Sequence, residues 1–261
     1  MGAGPPSGGI GADRFLGAGP PSGGIAADRP FRAGPLLGVR ELFVTAPALA
    51  RHGELVDAVA ASGAPVLEIS GELMAELAQT VTPPGLLAVC PFLDVPLAEV
   101  VAPGPRLIVV LANVRDPGNA GTVLRTADAA GAGGVIFAGD SVDPYNSKCV
   151  RSSAGSLFHL PVVTGVSVQN VVGGLREAGL RVLAGDGAAA RSLDELDAAG
   201  ELGWPTAWLF GNEAWGLPAD LLALADEAVA VPIYGRAESL NLAAAAAICL
   251  YASAQASAHP T

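Results

Sequence analysis

The chain has 261 residues, of which 51% are hydrophobic and only 15% charged, with a formal net charge of −11. That composition describes a core-rich globular protein of one large or two small domains, and the acidic balance excludes adhesion to nucleic acid through overall charge, while leaving room for a local basic site. No apolar run is long and clean enough to span a bilayer, and the N-terminus lacks the charged start and apolar centre of a signal peptide. Cys90, Cys149 and Cys249 are far apart and odd in number, which fits a reducing cytoplasm and no disulfide framework; no Cys/His spacing suggests zinc or another metal.

The first stretch is anomalous. GAGPPSGGI at 2–10 recurs at 17–25, each copy followed by Ala-Asp-Arg. Such Gly/Pro/Ser-rich sequence buries too little apolar surface to offset its ordering entropy, so residues 1–35 are expected to be low-complexity and disordered. From Val39 the pattern is regular: strands at 41–45, 65–69 and 86–90, helices at 54–62 and 71–79. These make a small α/β module over 36–92, with no catalytic grouping. Residues 93–105, rich in proline, read as a linker.

Residues 106–261 form a second domain. LIVVLANV at 107–114 is a fully apolar strand of the kind found in parallel sheets covered on both faces. A loop at 115–119 leads into a helix at 120–130. Further strands are expected at 134–138, 161–164, 180–184, 206–210 and 228–233, with helices at 168–178, capped by Ser167, and at 218–226. This alternation indicates an α/β fold with a mostly parallel sheet. An alanine-rich helix starts near Leu240 and is apolar on nearly all sides, so it must bury itself against the sheet or a second copy.

Three polar islands interrupt the pattern, each after a strand's C-terminal end, where open α/β sheets place ligands. The first runs from Asn113 to Ala127. Asp116-Pro117-Gly118 is turn chemistry, Asn119 can cap the following helix, and Arg125 lies roughly two turns into it. An arginine there is either a solvated charge or, among Val123, Leu124 and Ala127, a half-buried group aimed at phosphate or carboxylate. The second island is FGNEAWGLP at 210–218, where Gly211 and Gly216 permit close backbone approach around Glu213. The third is VPIYGRAESLNLAAAAAICLY at 231–251, with Glu238, Ser239 and Asn241 at the mouth of the last helix. Ser239 is a natural N-cap. It is equally a polar group on the apolar wall of a ligand site. None of the islands is a G-x-G-x-x-G or a P-loop.

In this order, N-x5-R, G-N-E-x-x-G-L and V-P-I…E-S-L-N-L-A-A-A resemble the SpoU/TrmH family of RNA 2′-O-ribose methyltransferases, of the knotted SPOUT class. The likeness covers about 106–254 and includes DPYNSKCVRSSAGS at 143–156. The module at 36–92 resembles part of the L30e-like RNA-binding domain of the ribosomal-RNA branch, without that domain's basic opening helix. The resemblance implies a trefoil knot and S-adenosyl-L-methionine held largely by backbone at Gly211, Val231 and Leu240, with Ile233 adjacent. It implies Arg125 and Asn119 at the reacting ribose, with Glu213, Ser239 and Asn241 holding loops and substrate. An arginine is a poor base, so Arg125 is read as orienting phosphate and stabilising the developing alkoxide. The implied assembly is a homodimer, and the implied substrate is RNA, ribosomal ahead of transfer RNA. The alternatives are a transfer-RNA 2′-O-methyltransferase, a base methyltransferase of the same knot class and a non-catalytic RNA-binding factor on the same fold.

Overall fold

The computed structural model describes residues 38–258, apart from 79 and 81; the expectation of disorder over 1–35 falls outside the described residues. The small module holds β1 (Glu41–Val44), α1 (Ala46–Arg51), α2 (Gly53–Ala61), β2 (Val66–Glu68), α3 (Gly71–Ala78) and β3 (Leu86–Val89). Its sheet has the order β2-β1-β3, with β1 parallel to β2 and antiparallel to β3. Leu42 and Val44 of β1 pack against Ala48, Val56 and Val59, so the alternate residues of a pleated strand form one small core.

The stretch read as a linker carries α4 (Leu97–Val101). Val100 is buried in the core of the large sheet, Asp94 bridges to Val162, and Tyr145 accepts from the Leu93 N–H and donates to Asp94. Two prolines masked a helix of little more than one turn.

The large sheet contains β4 (Leu107–Ala112), β5 (Val135–Ala138), β6 (Val162–Val166), β7 (Arg181–Gly185), β8 (Arg191–Ser192), β9 (Thr206–Phe210) and β10 (Glu227–Ala230). Their order is β6-β5-β4-β9-β7-β10-β8, and each pairing is parallel. Helices α5 (Pro117–Ala129), α6 (Ser147–Ser152), α7 (Val168–Glu177), α8 (Leu193–Ala198), α9 (Ala219–Leu222) and α10 (Leu242–Ala258) cover it.

The pleat divides the core. Leu107, Val109, Leu111, Trp208 and Phe210 face α5 and α10 on one side, and Ile108, Val110, Leu209 and Ala207 face α4 and α7 on the other. Both faces of β4 are therefore apolar, as its unbroken run requires. Trp208 is fully buried, and its indole N–H donates to Ser253 Oγ of α10 at 2.9 Å, which meets the demand of a buried polar atom without opening the core.

Four boundaries differ from the sequence reading. Helix α5 starts at Pro117, because Asp116 caps it by accepting from the Asn119 N–H and proline suits the first helical turn; Asn119 is not the cap. Helix α10 starts at Leu242, because Asn241, rather than Ser239, accepts from the Ala243 and Ala244 N–H groups. Strand β10 stops at Ala230, two residues before Pro232, which has no ladder donor. The helix read over 218–226 is the single turn of α9.

The far edge of the sheet is fastened by charge. Arg181 and Arg191 both pair with Glu201 and with Glu227. Arg191, then Arg181, lowers the Glu201 pKa to about 2. The contribution of Glu201 to stability is complete above its ordinary value of 4.5 and is lost as pH falls toward about 2. Thermal unfolding followed across that window should show a steeper fall for the native chain than for Glu201→Gln.

Candidate active site

The three polar islands meet at the C-terminal ends of β4 and β9. The hinge of this meeting is a tight hairpin after β9: Asn212 and Gly216 exchange two backbone hydrogen bonds of 2.9 and 2.8 Å, and Gly216 has φ of +68°. Gly211 sits against the far side of the turn. A Cβ there would lie 2.4 Å from the Gly216 carbonyl carbon and oxygen and 2.6 Å from the Leu217 nitrogen. Only glycine fits. Asn212 ties the hairpin to the neighbouring strand end by donating to the Asn113 carbonyl at 2.9 Å, while Asn113 itself has φ of +57°.

The hairpin aims Glu213 at the start of α5. Its carboxylate accepts from the Arg115 N–H at 3.2 Å, the Asp116 N–H at 3.1 Å and the Asn119 side-chain amide at 3.2 Å. The Asn119 carbonyl oxygen in turn accepts from the Asn241 side-chain amide at 3.0 Å. The chain Glu213–Asn119–Asn241 thus joins all three islands, although these residues are widely separated in sequence. It also fixes each amide's orientation: Asn241 must use its oxygen to cap α10 and its nitrogen to reach Asn119. Asp116 adds a charged link to Lys148 of α6 at 2.9 Å. That ammonium, and then the Asn119 N–H, holds the Asp116 carboxyl below its usual range.

A cleft of 610 Å³ opens over this wiring, lined by Arg115, Asp116, Asn119, Asn212, Glu213, Ala214, Trp215 and Asn241. Of the expected site residues it brings together Asn119, Glu213 and Asn241. Gly211 is buried beneath the hairpin; Arg125, Val231, Ile233, Ser239 and Leu240 are not among the walls of this cleft. Arg125 is exposed on α5 rather than half-buried, and it makes no hydrogen bond or ion pair among the described residues. Val231 packs at the edge of the core, whereas Ile233, Ser239 and Leu240 lie in an exposed segment without regular structure. Residues 233–240 contribute no backbone–backbone hydrogen bond among the described residues, so their N–H and C=O groups are free to be read by a ligand.

Asn212 and Trp215 were not singled out from the sequence; Arg115 was read there only as one of the basic residues near the motifs, and it lines the cleft. Asn212 stands inside the G-N-E motif, and its role depends on a carbonyl far away in the chain; no local signal marks it. Trp215 could have been flagged as a large aromatic inside a glycine-bounded turn.

The SpoU rRNA Methylase family model matches residues 106–251, over half of the chain. The chain belongs to the SpoU rRNA methylase family. It is 36% identical over 186 residues to a Bacillus subtilis protein named 23S rRNA (guanosine(2553)-2′-O)-methyltransferase RlmP, covering 70% of each chain. It is 38% identical over 183 residues to a Synechocystis protein named an uncharacterized tRNA/rRNA methyltransferase, covering 70% of this chain and 65% of that one. The match therefore spans about two thirds of these SpoU relatives. Among solved structures, an AdoMet-bound rRNA methyltransferase from Sinorhizobium meliloti is similar, with a TM-score of 0.71, 32% identity, and coverage of 84% of this chain and 80% of that one.

Proposed function

We propose that the protein transfers the methyl group of S-adenosyl-L-methionine to a ribose 2′-hydroxyl of ribosomal RNA. The observation that carries this reading is the three-island closure through Glu213, Asn119 and Asn241 on a SpoU-family chain. The residues fit the methyl donor. The cleft is of ligand size, and the hairpin that walls it packs its Gly216 and Leu217 main chain directly onto Gly211, where any Cβ would clash. The backbone of 233–240, without a backbone–backbone hydrogen bond among the described residues, supplies donors and acceptors. Gly211, Val231, Ile233 and Leu240 would hold the donor by main-chain groups, and Ser239 would hold the loop. When bound, it supplies an activated sulfonium methyl.

The chain's own residues then have limited work. Glu213 and Asn119 hold the loops in one geometry, so the ribose meets fixed groups. Arg125, whose side chain has no partner among the described residues, orients a phosphate and stabilises negative charge as the hydroxyl loses its proton to phosphate or water. We read the chain as a homodimer, in which Arg125 of one protomer faces the site of its partner. Ile248 and Tyr251 support this, since both are exposed on the outer side of α10, at 43% and 47%. The trefoil threading, an L30e-like module at 36–92 that binds RNA, and a cytoplasmic location belong to the same reading. No helix among the described residues is long and apolar enough to cross a membrane. No group of three or more His, Cys, Asp or Glu among them could hold a metal.

Purified protein incubated with unmethylated 23S rRNA and labelled S-adenosylmethionine should incorporate methyl groups at a position that becomes resistant to alkaline cleavage. Label without alkaline resistance would indicate a base methyltransferase. No label and no calorimetric binding of the donor would indicate a non-catalytic RNA-binding protein. Sedimentation should give a dimer, and an active monomer would refute the two-fold site.

A further inference from the structure

Trp215 stands out once the cleft is drawn. It is a wall residue of the cleft, yet 64% of its surface is exposed. Its backbone is not a loose loop: it lies inside the Asn212–Gly216 hairpin, whose two backbone hydrogen bonds and Asn212 anchor fix the turn. Two places earlier in the turn, Glu213 is held by two backbone N–H groups and Asn119. The fold therefore spends a rigid turn on presenting a wet indole at the mouth of a polar cleft. The other two tryptophans are accounted for: Trp208 is buried and bonded to Ser253, and Trp204 lies under the Arg181 guanidinium at 5.4 Å. Trp215 has no ring partner, ion or hydrogen bond among the described residues.

A flat aromatic face beside an RNA ribose site has an obvious complement. Single-stranded RNA is gripped where unstacked bases lie on aromatic side chains, and such stacking is tolerant of base identity because each base has a π-face. Arg115, on the same rim and 60% exposed, is paired with Asp140 at 3.4 Å across an exposed contact, so it adds a cation that an incoming phosphate can share. Resting on the methyltransferase reading above, we propose that Trp215 is a stacking platform for a nucleobase of the substrate, the target base or one adjacent to it. The substrate is thereby a nucleotide splayed out of a loop or bulge, not one held in a continuous helix.

The test uses the full-length protein, in vitro transcribed 23S rRNA and labelled S-adenosylmethionine, comparing Trp215→Ala, Trp215→Leu and Trp215→Phe. The expected result is a KM for RNA raised roughly 5- to 150-fold in the Ala and Leu variants, with Phe restoring most of the loss, since stacking contributes on that scale per base. Affinity for S-adenosylmethionine, measured by calorimetry without RNA, should stay that of the native chain in all three. Unchanged KM in Trp215→Ala would overturn the platform while leaving the methyltransferase reading intact. Weakened donor binding in the same variant would overturn it too, because the indole would then be a lid on the donor. Phe behaving like Leu would exclude stacking in favour of shape alone. If the native chain methylates no RNA, the reading beneath the proposal falls with it.

Discussion

Replacing Arg125 by alanine is expected to lower the rate of methyl transfer by about 10²- to 10³-fold, the usual loss for one donor aimed at developing charge. Donor affinity and thermal stability should be those of the native chain. The stability half of this expectation comes from the structure: Arg125 is exposed on α5 and its side chain has no partner among the described residues, so its removal leaves no buried group among them unsatisfied. The rate half comes from its chemistry. A guanidinium cannot act as base near neutrality, but it can hold a phosphate and lower the cost of an alkoxide. Lysine at 125 should recover only part of the rate, since it offers a point charge without the fork. Mixing Arg125→Ala chains with chains disabled at Gly211 gives a second readout. If Arg125 serves the partner's site, the mixed dimers contain one intact site and activity returns. Near-normal single-turnover rates in Arg125→Ala would remove the residue from the chemistry.

Gly211→Ala should act through the opposite route, by displacing the site's frame. The added Cβ would meet Gly216 and Leu217 main-chain atoms at 2.4–2.6 Å, and no side-chain rotation relieves a clash with backbone. Overpacking of this kind costs about 1–3 kcal/mol, readable as a lowered melting temperature. The turn must move, and it carries Glu213 away from the Arg115 and Asp116 N–H groups and from Asn119. A shift near 1 Å at a reacting site can cost about 10²-fold in rate, so kcat/KM should fall on that order. Gly173→Ala is the control. It lies on the exposed side of α7 with open space at its Cβ, and alanine there should stabilise by roughly 0.5–1 kcal/mol. A Gly211→Ala protein with native melting and native turnover would show that the close approach has no consequence.

Much of the fold can be read in the chain because the strong signals are local. The unbroken apolar run at 107–112, the glycine after α5 and the serine before α7 each mark their element within a residue or two. What escaped was short or decided at a distance. Helix α4 is five residues long, and β8 has two, too few for any periodicity to register. The start of α10 depended on whether Ser239 or Asn241 turned its oxygen toward the helix. Both types cap well, and Asn119 across the cleft settles it by engaging the other end of the Asn241 amide. For the site, the motif order placed Asn119, Glu213 and Asn241 in one neighbourhood. The carboxylate's grip on two main-chain N–H groups could not be read, because it joins residues nearly a hundred positions apart.

That long-range joining bears on when the protein can begin to work. Asn241 leaves the ribosome well after Asn119 and Glu213, and it must reach Asn119 before the polar chain is closed. A growing polypeptide that has delivered only the first two islands holds an unfinished cleft. Translation thus sets a delay on the proposed activity: a half-made copy has no assembled centre with which to mark an RNA.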